Sequence, residues 1–81
     1  MRMIGITTSN DFAAGLRLAG VECFVIRDPG KIKEKIKEIS KDPEVGILNV
    51  TDDVYKIAKE ELTEILNTQD LPLVVKVPGV K

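Results

Sequence analysis

Histidine, the side chain most often used to move protons and to hold transition metals, does not occur among the 81 residues of this chain. Nucleophile activation of the Ser-His or Cys-His kind is therefore excluded. A zinc centre would need several cysteines or histidines, and Cys23 is the single residue of either type. Carboxylates, hydroxyls, lysines and one tyrosine remain. Asp11 and Asp52 are the pair that a carboxylate enzyme would use, with residue type alone in their favour. Polar clusters recur at Thr7-Thr8-Ser9-Asn10-Asp11, Arg27-Asp28 and Thr51-Asp52-Asp53, each directly after an apolar run. No G-x-G-x-x-G follows the first run and no Walker A sequence occurs, so a nucleotide cradle has no support.

Other readings of single residues lead to packing rather than chemistry. A receiver-type phosphoacceptor would need a carboxylate cluster after the first strand and an aspartate ending the third. Threonines and Asn49 stand near those places, and Lys76 lies inside the fourth strand, so its magnesium site is missing. Cys23 sits in an apolar strand and reads as a core cysteine rather than an activated thiol. Tyr55 reads as a half-buried amphipathic side chain. The sequon Asn49-Val50-Thr51 falls inside a buried strand. No catalytic residue, cofactor or metal is expected, and the chain is read as a non-enzyme.

The elements that would position these residues follow from periodicity. Met3 to Ile6, ending in Thr7-Thr8, predicts strand one. Thr8 and Asp11 have the spacing of a capping box, and Phe12, Leu16 and Ala19 fall on one face of the helix that follows. That helix carries few charges and is expected to be well buried, with Gly20 as its left-handed cap. Val21 to Ile26 contains strand two, and Pro29-Gly30 breaks it. Lys31 to Lys41 predicts an amphipathic helix with Ile32, Ile36 and Ile39 inward and a solvated Lys/Glu face. Val45 to Val50 predicts strand three, buried on both faces. Thr51-Asp52-Asp53 caps one further helix striped by Val54, Ile57, Ala58, Leu62, Ile65 and Leu66. Leu73 to Val77 is strand four, stopped by Pro78-Gly79.

Strands joined by helices imply a parallel sheet with right-handed crossovers. The fold class is thus α/β: a four-stranded parallel sheet, order 2-1-3-4, with three helices in a Rossmann-like or receiver-like topology, residues 1–81 forming a single domain. Handedness puts helix one on one face and the others on the opposite face. Strands three and four then keep an apolar face that no helix covers, and such faces mark interfaces. A further helix, from a longer chain or from a partner, is expected there. Leu73, Val75 and Val77 are the candidate contact residues.

Twelve basic and thirteen acidic side chains leave a net charge of −1, which gives no electrostatic reason to expect nucleic acid or an anionic membrane. Apolar runs are too short to span a bilayer, and Met1 leads straight into a strand, leaving no room for a signal peptide. With one cysteine, these features predict a cytoplasmic protein.

Three segments resemble the family of F subunits of V-type and archaeal A-type rotary ATPases. Gly15-Leu16-Arg17-Leu18-Ala19-Gly20-Val21 is similar to the family signature GFRLAG-V/I. Val45 to Asp52 is similar to IGIILITE, and Leu71 to Pro78 to LPxIxxIP. The family often has Gly-Asp after strand one, where this chain has Thr8-Ser9. Its members continue past strand four into a segment ending in a helix, which this sequence does not contain. The resemblance implies a non-catalytic central-stalk (rotor) subunit. Such a subunit binds the coiled-coil D subunit, turns within the catalytic A/B ring, and supports coupling of ATP synthesis or hydrolysis to proton or sodium transport. It would lie peripheral to the membrane through the complex. The motif residues Gly15, Arg17, Ala19 and Gly20 are then expected to serve helix–sheet packing and capping. The alternative is a small receiver-like regulatory or anion-binding domain using the Thr7-to-Asp11 rim.

Overall fold

A computed structural model describes residues 2–77; the expected stop at Pro78-Gly79 lies outside the described residues. Eight elements follow in the order β1 (Arg2–Thr7), α1 (Asn10–Leu18), β2 (Glu22–Val25), α2 (Pro29–Ser40), β3 (Val45–Thr51), α3 (Asp52–Ile57), α4 (Lys59–Thr68) and β4 (Leu73–Val77). The four strands form one sheet in the order β2-β1-β3-β4, with every neighbouring pair parallel. This is the predicted sheet.

Side chains alternate across it. Ile4 and Ile6 of β1 and Leu48 and Val50 of β3 point to one face, where they join Ile32, Ile36, Ile39, Val54, Ala58, Leu62 and Ile65 in the main core. Val74 of β4 and Phe24 of β2 pack against the same cluster. Each fully buried Leu, Ile or Val here stabilises by about 1.5–3 kcal/mol. The opposite face carries Met3, Gly5 and Thr7 on β1, Cys23 on β2, Ile47 and Asn49 on β3, and Leu73, Val75 and Val77 on β4. Helix α1 packs on β1 and β2 there. A Cβ added at Gly5 would lie 2.8 Å from Leu16 Cδ1 and 3.2 Å from Cys23 Sγ, so this glycine lets α1 approach the sheet closely.

Three expectations need correction. The third predicted helix is two, broken at Ala58 (φ −110°, ψ 27°). Its stripe Val54, Ala58, Leu62 and Ile65 runs on without a Gly or Pro, so periodicity shows no interruption. The break lets α3 reach β1 and β3 while α4 turns to pack on α2 and β4. The capping box of Thr8 and Asp11 does not form. Ser9 is the N-cap, its Oγ accepting from Phe12 N at 3.3 Å, and Thr8 instead donates to Asp53. Lastly, α1 is not well buried: Ala13 is its one fully buried residue, and Leu18 is 91% exposed. The helix covers two strands with one narrow side and leaves the rest of its apolar surface open.

Candidate functional site

Two places could carry function: the polar rim at the carboxyl ends of the strands, and the face beside α1. At the rim, the side chains hold the backbone of the turns. Thr7 is fully buried and its Oγ1 accepts from Ser9 N at 3.1 Å. Asp28 caps α2 by accepting from Lys31 N at 3.0 Å, with Pro29 opening the helix. Asp53 accepts from Thr51 Oγ1, from Thr8 Oγ1 and from Val54 N. Partial burial works against its ionisation, but these hydrogen bonds outweigh it and hold the carboxyl below its ordinary range. Asp11 and Asp52 stand in the first turns of α1 and α3, where acids favour the helix dipole. Among the described residues no three His, Cys, Asp or Glu side chains gather as a metal site. The rim is a set of caps.

Cys23 is buried, and burial pushes its thiol up while the nearby Arg17 charge works weakly against this. Tyr55 is half-buried, with the Lys76 ammonium 5.3 Å from its ring centroid.

The face beside α1 differs in kind. Met3 is 43%, Leu73 56% and Val75 42% exposed, while Ile47 and Val77 are half-buried. Register places them in rows: Met3 opposite Ile47 and Ile47 opposite Leu73, then Gly5, Asn49 and Val75, with Thr51 and Val77 beyond. Leu73, Val75 and Val77 thus share the bare side of β4. Alongside, an open groove of about 310 Å³ is lined by Asp11, Phe12, Gly15 and Leu16. Asn49 is the polar residue in the middle row, and its amide nitrogen is shielded from solvent without a hydrogen-bond partner.

The motif residues divide. Gly20 has φ +86°, the left-handed cap a glycine provides without strain. Arg17 Nη2 donates to the Cys23 carbonyl at 2.8 Å and ties α1 to β2. Gly15 corrects the packing expectation, because a Cβ there would meet nothing within 4 Å. The close-approach glycine is Gly5, and Ala19 is exposed. Asn49 was missed as a residue of this face. Strand alternation could have shown it, as the polar residue between Ile47 and Thr51 on one side of β3.

Comparison with known proteins agrees with the resemblance of the three segments. A curated relative, the F subunit of the A-type ATP synthase of Methanothermobacter thermautotrophicus, is 28% identical over 76 residues, covering 93% of this chain and 71% of that protein. The crystal structure of the V-type ATP synthase F subunit from Archaeoglobus fulgidus superimposes with a TM-score of 0.68 at 20% identity, covering 94% of this chain and 96% of that one, and it shows the same fold. The family model described as ATP synthase (F/14-kDa) subunit matches residues 4–81. The chain belongs to the family of ATP synthase (F/14-kDa) subunits.

Proposed function

We propose that this chain is a non-catalytic central-stalk subunit of a V/A-type rotary ATPase, working by protein–protein contact. It binds the coiled-coil D subunit and turns with it, and through that contact supports coupling of ATP turnover to proton or sodium transport. The observation that carries this reading is the apolar strip over β3 and β4, with Leu73 and Val75 open on a sheet whose other face is closed. A rotor body needs rigidity and a persistent interface. The capped turns, the closed core and the exposed strip meet those demands, and at the rim Thr7, Ser9, Asp28 and Asp53 are engaged in holding turns and helix starts. No helix of the described residues is long and apolar enough to cross a membrane. Attachment through the complex, on its cytoplasmic side, is the corresponding location.

The test is titration of the full chain with the D-type coiled-coil subunit of the same organism. A stable one-to-one complex at micromolar concentration is expected. Absence of binding at that concentration overturns the proposal.

A further inference from the structure

Helices α2 and α4 turn charged sides to water, as solvated helices do. The exposed positions of α2 include Lys31, Lys33, Glu34, Lys37 and Glu38, and those of α4 include Lys59, Glu60 and Glu64. Helix α1 breaks this pattern. Ala13 is its one fully buried residue, so at about 100° per residue Asp11, Gly15 and Leu18 point away from the sheet. Between the Asp11 turn and Gly20, the outer side of α1 consists of Ala14, Gly15, Leu18 and Ala19, all exposed, with Leu18 at 91%. That side carries no charge, and open space at Gly15 lets another element approach it closely.

Two uncovered surfaces therefore lie next to each other on one side of the sheet: the outer side of α1, over β1 and β2, and the apolar strip of β3 and β4. Each is what the other lacks. At about 4.8 Å per strand the strip is roughly 10 Å wide, which is the diameter of one helix with its side chains. A two-fold axis parallel to the strands, set between α1 and the strip, turns a second copy over. The α1 of that copy then lies on this strip, and its strip lies on this α1.

Such an axis leaves height along the strands unchanged, so the rows that meet are fixed. The close approach of Leu16 Cδ1 to Gly5 sets the middle of α1 level with the Gly5-Asn49-Val75 row. Gly15 thus faces Val75 of the second copy. The helix runs back toward the amino ends of the strands, so Leu18 faces Leu73 of the second copy, in the row of Met3 and Ile47. Arg17 ties one flank of α1 to β2, and the opposite flank holds the groove of about 310 Å³ lined by Asp11, Phe12, Gly15 and Leu16. The two α1 helices meet along that groove and close it. Two sheets then enclose one layer of two helices, and every pair of strands has its helix.

We propose that the free chain forms a two-fold homodimer in which each α1 seats on the β3–β4 strip of the other copy. Neither surface brings a charge into the seat, and Asp11 stays at the rim, where water reaches it. The nine residues of α1 span about 13 Å. Two helix-on-strip seats of that length and one helix-on-helix line hide roughly 1,000 Å² over both copies, the low end for a specific interface. Dissociation in the micromolar range is the corresponding strength. The dimer does not rest on the central-stalk reading, but it has a consequence for it: a partner that takes the strip must displace the second copy.

Sedimentation of the full chain alone, across a concentration series through the micromolar range, tests the dimer with Leu18→Lys and Leu73→Glu. Wild type passes from monomer to dimer as concentration rises. Each variant by itself places an unpaired charge in both seats and weakens the dimer at least about tenfold. Both positions are exposed, so the melting midpoints of the dilute variants stay close to that of wild type. Mixed in equal amounts, the two variants dimerise again, because one seat pairs the new ammonium with the new carboxylate and the other seat is wild type. A wild type that stays monomeric overturns the proposal, and if that monomer binds the D-type subunit the central-stalk reading stands without it. A dimer weakened by Leu18→Lys alone is a helix-on-helix pair, and one weakened by Leu73→Glu alone is a strip-on-strip pair; either overturns it. So do two variants that are each monomeric and remain so when mixed, since the seats are then not exchanged between copies.

Discussion

The two faces of the sheet are built from the same four strands, and they differ in how many helices cover them. On one side α2, α3 and α4 lie over all four strands, and Ile4, Ile6, Leu48 and Val50 are at most 2% exposed. On the other, α1 covers β1 and β2, and exposure climbs to 43% at Met3 and 56% at Leu73. The strands supply apolar residues to both sides in similar measure. Burial is therefore decided by helix count, and two strands need about one helix. Fold stability lies on the covered side, and the capacity to associate lies on the bare side.

The largest expected effect breaks the covered side. Leu48 is fully buried, and Leu48→Ala removes its transfer energy and leaves a cavity under α3. A loss of about 2–5 kcal/mol is expected in urea unfolding. For a chain this short, that is a large share of a stability of about 5–15 kcal/mol. A result under about 1 kcal/mol would show that the covered face collapses around the cavity, and the contrast between the two faces would lose its energetic basis.

A smaller effect is expected where α1 is tied down. Gly20 sits at φ +86°, and Gly20→Ala forces an L side chain into the left-handed region at a cost of about 1–2 kcal/mol. Nothing obstructs the added Cβ, so the loss would be conformational. If α1 instead reorients to relieve it, hydrogen exchange at the amides of β2 should accelerate along with those of α1, because Arg17 links the helix to the Cys23 carbonyl.

Much of this contrast was legible in the residues. Alternation between strand-like and helix-like periods determines the element order, crossover handedness assigns helices to faces, and counting helices against strands leaves β3 and β4 bare on one side. The Gly20 cap was legible because only a residue free of Cβ strain suits that turn. The split at Ala58 was not, because the apolar stripe crosses it unbroken and no helix breaker marks it. Ser9 and Thr8 have near-equal local claims to the cap of α1, and the choice rests on a contact between Thr8 and Asp53, 45 residues apart. The open wall at Gly15 was also hidden, since a glycine in a helix reads equally as close packing or as open space.

At the rim the expected effect is smaller and depends on pH. The Asp53 carboxyl is held below its ordinary range in the folded chain. Its hydrogen bonds therefore add stability above the unfolded value near 4, and the contribution is lost as pH falls through the lower folded value. Asp53→Asn removes this share. Wild type and variant should differ in unfolding free energy at pH 6, by less than about 1 kcal/mol because the site is largely exposed, and the difference should shrink steadily as the pH is lowered below the ordinary carboxylate range. A difference that persists undiminished as the pH is lowered would mean that the Thr8 and Thr51 hydroxyls, rather than the charge, hold the two turns together.

The smallest effect is expected on the bare side, and it is the sharpest contrast with Leu48. Leu73 is 56% exposed at the start of β4, and Leu73→Ser removes apolar surface that water already reaches. Stability of the isolated chain should stay within about 0.5 kcal/mol of wild type, as for surface positions without special partners. The same substitution removes one of the apolar side chains of the strip, so solubility should rise as its stickiness falls. If Leu73→Ser instead unfolds the chain as severely as Leu48→Ala, the strip is part of the folding core. The difference between the two faces would then be one of accessibility alone.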